Sequence, residues 1–356
     1  MKALRFHKAQ DLRLDEVAAP PAPTGQDVLV RISLCGICGS DLHEYQAGPI
    51  IVPTSPHPFT GAMAPLILGH ELSALVEAVG PDVATIAVGD RVAAMPHLNK
   101  PGEYFARRNL GHISAETGII GLSGPWGGFG EYALIPEQNL VRLPADVSDA
   151  QGAIVEPASV ALHAIDRGGV FPGASVLITG AGPIGVLVAL AARAAGATRI
   201  FLFEPNSQRA ARVRGLPGIS VFDRLGEDFV YAVKTGTAAG IGVDIAIECA
   251  GHRDALALCL DKVRRDGTIV QVGLFVKEPT FDMYKLCEKA VRLIGNWGNP
   301  ITIGPRVVEL IASGLYPVEM IISGQVPLAE AVTEGFDVLC RPGNDKLKIL
   351  VAVGAA

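Results

Sequence analysis

The chain has 356 residues, 49 % of them hydrophobic and 19 % charged, with a formal net charge of −6. That length exceeds one compact core and suits two domains, and the apolar fraction excludes a disordered chain. The acidic balance gives no basic footprint for nucleic acid, and no lysine- or arginine-rich run addresses an anionic membrane surface.

No apolar h-region follows the opening Met-Lys-Ala-Leu-Arg-Phe-His-Lys, so no signal peptide is expected. Six scattered cysteines form no secreted disulfide framework, and a reducing cytoplasm is the expected compartment. Residues 1 to about 150 carry short β-branched runs at Val28–Ile32, Ala74–Val79, Arg91–Ala94 and Glu131–Ile135, separated by Gly/Pro/Asp turns. These predict an irregular barrel-type β domain. From 154 to 298, strand-like runs (Ser175–Thr179, Arg199–Phe203, Ser220–Phe222, Val243–Ile247, Thr268–Val272, Leu293–Ile294) alternate with helical stretches at Ile184–Ala195, Ser207–Arg214 and Arg253–Val263. Such alternation predicts a doubly wound parallel sheet. The tail, with a helical stretch at Pro305–Ser313 and a strand at Leu347–Val353, is expected to return to the first domain. The expected segments are 1–153, 154–298 and 299–356. The nearly uncharged stretch Ala174–Ala197 is long enough for a membrane span, but Gly180, Gly182, Pro183 and Gly185 break it into a strand, a turn and a helix.

Within that stretch, Gly180-Ala-Gly182-Pro183-Ile184-Gly185 is a Gly-x-Gly-x-x-Gly turn with an apolar strand before it and an Ala-rich helix after it. Gly180 suits the tight turn, Gly182 the approach of a pyrophosphate, and Gly185 the packing of helix on strand. Glu204 stands 19 residues beyond Gly185, at the end of the second strand. A carboxylate there accepts from both ribose hydroxyls and repels a 2′-phosphate, which selects NAD over NADP. Arg209 is read as stacking or bonding near the adenosine ribose. The alternative, a surface glutamate ending an ordinary strand, does not account for the complete glycine pattern upstream.

The densest chemistry lies in Leu34-Cys-Gly-Ile-Cys-Gly-Ser-Asp-Leu-His-Glu-Tyr45. Cys35 and Cys38 form Cys-x-x-Cys, but no second such pair completes a four-cysteine zinc site. A redox dithiol of this kind normally precedes a helix, whereas Gly39-Ser-Asp-Leu-His follows here. Cys38 is favoured as a metal ligand and Cys35 as packing, because Ser40 and His43 are spaced from Cys38 to line one pocket. A catalytic zinc needs about three protein ligands and one open position. Gly69-His70-Glu71 supplies two candidates. Glu156 supplies another, since a glutamate in the apolar run Ala153-Ile-Val-Glu-Pro must be paired or metal-bound when buried.

Together these segments resemble the zinc-dependent medium-chain dehydrogenase/reductase family, and the likeness runs in order through essentially the whole chain. The family's fold is a GroES-like β-barrel catalytic domain plus a Rossmann doubly wound parallel-sheet domain. Glutamate at the third ligand position resembles the polyol and secondary-alcohol branch. Gly48-Pro-Ile-Ile-Val-Pro, His57-Pro-Phe-Thr-Gly61 and Gly121-Leu-Ser-Gly-Pro-Trp-Gly-Gly-Phe-Gly-Glu-Tyr132 resemble its 2,3-butanediol dehydrogenases. The resemblance implies NAD-linked oxidation of a secondary alcohol, vicinal diol or polyol. In it a zinc polarises the alcohol, Ser40 and His43 carry the proton outward, and Asp41 orients His70. Either Glu71 or Glu156 is the inner-sphere carboxylate. Cys249, Ala250, Gly251, Val272 and Gly273 join the nucleotide contacts. A homodimer or homotetramer is expected, with the last Rossmann strand as an inviting edge.

One departure is plain. The family commonly holds a second, structural zinc in a Cys-x2-Cys-x2-Cys-x7-Cys lobe. Those four positions fall here on Lys100, Glu103, Ala106 and Ser114. One catalytic zinc per chain is therefore expected, with a Lys100–Glu103 ion pair as one substitute and no metal at His97 and His112. Tyr45, Phe59, Trp126 and Trp297 are candidate pocket residues, and Asn296-Trp-Gly-Asn-Pro300 falls where substrate and nicotinamide would meet. A sugar-alcohol dehydrogenase is the runner-up. A non-catalytic NAD-binding protein and a zinc-free reductase are disfavoured by the intact Cys38, Ser40, His43, His70 and Glu156.

Overall fold

Val28, Val30 and Ile32 alternate along the strand Asp27–Gly36 and are all fully buried. This period of two makes the strand the spine of one half of the molecule. The computed structural model describes residues 1–275 and 277–354. Position 276 and the last two positions of the expected third segment, 355 and 356, lie outside the described residues. The chain divides into two units. One comprises Met1–Pro157, Asn299–Gly314 and Val318–Ala356; the other comprises Ala158–Gly298 and Leu315–Pro317.

In the first unit the spine pairs antiparallel with Glu71–Val79 on one side and with Lys348–Ala352 on the other. It also pairs with Tyr132–Pro136. Arg91–Ala94 and Leu140–Arg142 extend the sheet beyond Glu71–Val79, and Ile322–Pro327 extends it beyond Lys348–Ala352. A three-stranded sheet of Asp11–Glu16, Lys2–Lys8 and Leu66–Ile67 packs with it. The hairpin Lys2–Lys8/Asp11–Glu16 carries no strong turn signal and has no counterpart in the sequence expectation. Phe6, Ile32, Leu72, Val76, Phe129 and Phe336 share the core, each contributing about 1.5–3 kcal/mol by burial. A second difference matters for the site. A nine-residue helix, Gly39–Ala47, does follow Cys38. Gly39 and Ser40 read as loop residues, but Asp41 caps the first turn and tertiary packing overrides propensity.

The second unit is a six-stranded, all-parallel sheet. Its spatial order is Ile219–Phe222, Arg199–Phe203, Ser175–Thr179, Val243–Glu248, Val263–Gln271, Arg292–Gly295. Ser175–Thr179 is buried along its whole length, as a central parallel strand must be. The apolar stretch Ala174–Ala197 resolves into this strand and the helix Pro183–Ala194. No helix among the described residues is long and apolar enough to cross a membrane. The first boundary between units falls at 157/158, four residues past the expected one, inside the helix Val155–Gly168. Leu315–Pro317 also leaves the expected third segment for the second unit. There Tyr316, fully buried, donates its hydroxyl to the carbonyls of Leu187 (3.1 Å) and Ala158 (3.3 Å).

Candidate active site

The spine ends at Gly36, opposite Glu71 on one ladder and Leu350 on the other. A Cβ at Gly36 would lie 2.3 Å from a Glu71 carboxylate oxygen, so only glycine leaves room for that carboxylate. Two residues on, Cys38 is the N-cap of helix Gly39–Ala47. The Asp41 carboxylate accepts the Cys38 N–H at 2.9 Å, which fixes the turn carrying the thiol. The donor atoms of Cys38, His70 and Glu71 lie within 4.8 Å of one another. Ser40 Oγ is 3.2 Å from His70 Nε2, while Asp41 Oδ1 is 3.7 Å from His70 Nδ1. His43 is exposed, three residues beyond Ser40 on the same helix and therefore on a neighbouring surface position, with no hydrogen bond between them.

Burial drives the Asp41 carboxyl up to about 6 even though His70 and the Cys38 amide favour its anion. Burial opposes the His70 imidazolium, but Asp41, Cys38 and Glu156 together raise its pKa well above the ordinary value. Glu156 occupies the first turn of helix Val155–Gly168 and is 7 % exposed. Burial pushes its carboxyl upward; His70 and Lys348 draw it down, and Glu71 and Asp41 push it up again. Glu156 makes no hydrogen bond or ion pair with another described residue and lies outside the tight Cys38–His70–Glu71 group.

Sequence reasoning missed Lys348. Its ammonium donates to both oxygens of Glu71, at 2.7 and 2.6 Å, and to the Ile37 carbonyl at 2.9 Å. Burial disfavours the Lys348 cation, yet Glu71 and Cys38 hold its pKa above the usual value. The available signal was a lysine opening the apolar run Lys348–Ala352, a position a fully buried strand rarely gives to a charge.

This donor set fits zinc. Thiolate, imidazole and carboxylate converge, and His70 Nδ1 and Asp41 Oδ1 are buried without a hydrogen-bond partner. That leaves Asp41 to orient the ring while the other nitrogen turns toward a cation. A dication here would also return the buried carboxyls to their anions. Cys35 is fully buried, and burial together with Asp41 and Glu71 pushes its thiol far up. A redox dithiol is excluded by that burial, not by the lack of a following helix.

In the second unit, Gly180 has φ of +95° and Gly182 is the N-cap of helix Pro183–Ala194, with Pro183 and Ile184 opening its first turn. Nothing lies within 4 Å of where a Gly182 Cβ would sit, whereas a Gly185 Cβ would stand 1.9 Å from the Gly180 carbonyl. The turn therefore leaves open space at its tip, where a phosphate would meet the helix amides, and is closed at its base. Glu204 is buried, accepting from the Ala181 and Asn206 amides at 2.9 Å each; each oxygen keeps a lone pair for a further donor. Arg209 lies on helix Ser207–Val213, its amide bonded to Asn206. Cys249, Ala250 and Gly251 form the turn after Val243–Glu248, and burial pushes the Cys249 thiol well up. Val272 and Gly273 both donate backbone N–H to the Glu248 carbonyl at 2.9 Å.

The lobe at 97–119 is held by other means than the expected ion pair. Lys100 bonds Glu116 at 2.8 Å, while the Glu103 carboxylate turns back to the Phe105 and Ala106 amides. An exposed Lys100–Glu103 pair would stabilise by only about 0–1 kcal/mol, less than satisfying two backbone donors. Ala106 begins a short 3-10 turn, and the Ser114 hydroxyl caps the Glu116 amide. The Arg108 guanidinium lies 3.7 Å over the Tyr104 ring. His97 and His112 meet edge to face, 6.1 Å between centroids. Tyr45 is committed to Asp337 (2.8 Å). Phe59 and Trp126 line a cavity of about 290 Å³ with Leu98 and Ile120, and Trp297 is half exposed.

Burial, helped by the charges of His112 and His70, pushes His97 from its ordinary 6.5 down to about 3. A depressed histidine pKa means the fold holds the neutral ring. That stability is fully present above about 6.5 and is lost as pH falls toward 3, by up to about 1.4 kcal/mol per unit. His97→Gln should therefore lose about 2 kcal/mol less than the wild type between pH 6.5 and 5 in urea unfolding. Equal losses would remove His97 as the acid-sensitive group.

Residues 24–145 match the family description "Alcohol dehydrogenase GroES-like domain", and residues 183–313 match "Zinc-binding dehydrogenase". The chain is 35 % identical to (R,R)-butanediol dehydrogenase of Bacillus subtilis, over 99 % of both chains. It superposes on the crystal structure of the 2R,3R-butanediol dehydrogenase from that organism with a TM-score of 0.91, again over 99 % of both chains. It is 31 % identical to L-idonate 5-dehydrogenase of Vitis vinifera, over 89 % of this chain and 86 % of that one. A Sinorhizobium meliloti zinc-binding dehydrogenase described as bound to NADP is 28 % identical with a TM-score of 0.85, covering 99 % of this chain and 98 % of that one. The chain belongs to the zinc-dependent medium-chain dehydrogenase/reductase family.

Proposed function

We propose that this chain is an NAD-dependent zinc dehydrogenase that interconverts a vicinal diol or secondary alcohol with its ketone, with (R,R)-2,3-butanediol as the first substrate to try. The observation that carries the reading is the convergence of Cys38, His70 and Glu71 within 4.8 Å, on a chain whose similarity to a butanediol dehydrogenase is end to end. Zinc supplies Lewis-acid polarisation of an alcohol oxygen, and the nicotinamide supplies the hydride acceptor.

The chain's own residues do the rest. Asp41 holds the His70 tautomer that presents Nε2 to the metal. Ser40, beside that nitrogen, takes the alcohol proton, and His43 passes it outward from the exposed side of the helix. Cys38, His70 and Glu156 would hold the zinc. Glu71 is geometrically the tighter member of the cluster, but Lys348 already pairs with both of its oxygens, whereas Glu156 feels His70 and Lys348 only at a distance and has no direct ion-pair partner. We assign Glu71 to the neighbouring position, held by Lys348. The lobe without cysteines leaves one zinc per chain. The edge strand Arg292–Gly295 is the surface through which a homodimer or homotetramer would form.

Glu204 supports NAD as the cofactor. Glu204→Ala should lower the ratio of NAD to NADP catalytic efficiency by about 10–100-fold, the worth of a hydrogen bond to a charged group; an unchanged ratio would remove the NAD assignment. The polyol reading is favoured by the idonate dehydrogenase relative. Initial rates of NAD reduction across diols and sugar alcohols separate the two. Activity on polyols with none on 2,3-butanediol would replace the first substrate.

A further inference from the structure

Three side chains gather around residues 95–99 of the first unit, each keeping a buried polar atom without a hydrogen-bond partner: His97 Nδ1, Asn99 Oδ1 and Asn139 Oδ1. Two of them have a packing role. Asn139 donates through Nδ2 to the carbonyls of Met95 (2.7 Å) and His97 (2.8 Å), and its own backbone carbonyl accepts the Met95 N–H at 2.8 Å. Asn99 fills the space over Gly111, where a Cβ would stand 1.9 Å from its Oδ1. His97 is different. Its Nδ1 pairs with nothing among the described residues, although the side chain is only 5 % exposed. A buried imidazole with unused hydrogen-bonding capacity has lost water without gaining a partner, and a fold keeps such a group where a ligand completes it.

The surroundings aim this ring and hold it. His97 opens the two-residue strand His97–Leu98, paired with Gly118–Ile119. Leu98 and Ile120 line the cavity of about 290 Å³, and alternation along a strand turns His97 to the opposite face. The Asn139 amide clamps its backbone, and the His112 ring packs edge to face against it, 6.1 Å between centroids. The same turn reaches the metal cluster. Ile120 donates its N–H to the Pro96 carbonyl at 3.0 Å, and a Cβ on the next residue, Gly121, would lie 2.0 Å from the Gly69 carbonyl. Gly69 directly precedes His70, whose charge His97 feels. The two imidazoles do not make a second metal centre, because among the described residues no third His, Cys, Asp or Glu joins them within ligand distance.

The proposed reaction leaves one substrate group without a partner. The oxygen that is oxidised belongs to the metal cluster, and its proton leaves through Ser40 and His43. A vicinal diol brings a second hydroxyl on the adjacent carbon, and burying that hydroxyl unpaired would forfeit its hydration. We propose that His97 receives the second hydroxyl and so makes the site selective for vicinal diols over simple secondary alcohols. The assignment rests on the dehydrogenase reading above. Burial holds the His97 pKa at about 3, so the ring is neutral at working pH. It then offers one N–H and one lone pair and meets a hydroxyl as donor or acceptor. The same bond serves the reverse direction, where the hydroxyl beside the ketone takes no part in the chemistry.

Initial rates on 2,3-butanediol and on 2-butanol, the same carbon chain with one hydroxyl fewer, test the assignment on the full chain, His97→Leu and His97→Gln. The wild type is expected to favour the diol by about 10–100-fold in kcat/KM. His97→Leu should reduce that preference to about threefold or less through loss of diol activity, with 2-butanol changed by no more than about threefold. His97→Gln keeps a donor and an acceptor and should retain most of the preference, a rescue that a merely structural role would not produce. Zinc content is expected to be unchanged in both variants. Where His97→Leu does not fold, the wild-type ratio and His97→Gln decide. Equal losses on the two substrates in His97→Leu, or a wild type with no preference for the diol, overturn the assignment and leave the dehydrogenase reading standing. A wild type inactive on both alcohols overturns that reading, and the assignment with it.

Discussion

Lys348→Met is expected to destabilise the chain by about 3–5 kcal/mol when metal is withheld, the cost of stranding one member of a buried ion pair. Glu71 is 1 % exposed, and both of its oxygens depend on the Lys348 ammonium. Methionine fills much of the space of the aliphatic stem, so the loss reports charge and not a cavity. Two companion results make the reading specific. The double variant Lys348→Met/Glu71→Gln should recover most of the loss, because it removes the stranded charge along with its partner. Saturating zinc should also restore part of it, since a cation beside Glu71 replaces the missing ammonium. Urea unfolding of the wild type, Lys348→Met, Glu71→Gln and the double variant, with chelator and with zinc, provides the measurement. Additive losses in the double variant would contradict the pairing.

Cys38→Ser should lose zinc and lower turnover by at least about a thousandfold, the several kcal/mol that a Lewis acid contributes. NADH affinity should stay within about twofold, because the dinucleotide groups belong to the other unit. Ser40→Ala should keep zinc and lose only the proton path, a general-base effect of about 100-fold or more. A Cys38→Ser protein with full activity would remove Cys38 from the metal.

Most of the architecture was legible because its signals are local. The strand-like run Ser175–Thr179 before Gly180-Ala-Gly182 and a carboxylate after the next strand specify the nucleotide half in 30 residues (175–204). Cys38, His70 and Glu71 were legible as candidate ligands of one metal, but the strand register that brings them together was not. That register sets Gly36 opposite Glu71 and is decided by ladders between strands distant in sequence. The pairing of Lys348 with Glu71 was illegible for the same reason. A lysine 277 positions from Glu71 becomes its counter-ion only because the C-terminal strand pairs with the spine. The helix Gly39–Ala47 was hidden by weak propensity, and the Lys100–Glu103 pair was expected from proximity where backbone donors competed more strongly.

The central claim is one zinc, held through Cys38 and His70, serving a dehydrogenase. Its most direct test is metal content and NAD-linked activity toward diols and polyols, measured on the same preparation. The expected result is one tightly held zinc per chain, NAD reduction with a vicinal diol, and joint loss of both in Cys38→Ser. Two tightly held zincs per chain, or one zinc with no activity on any alcohol, would contradict it.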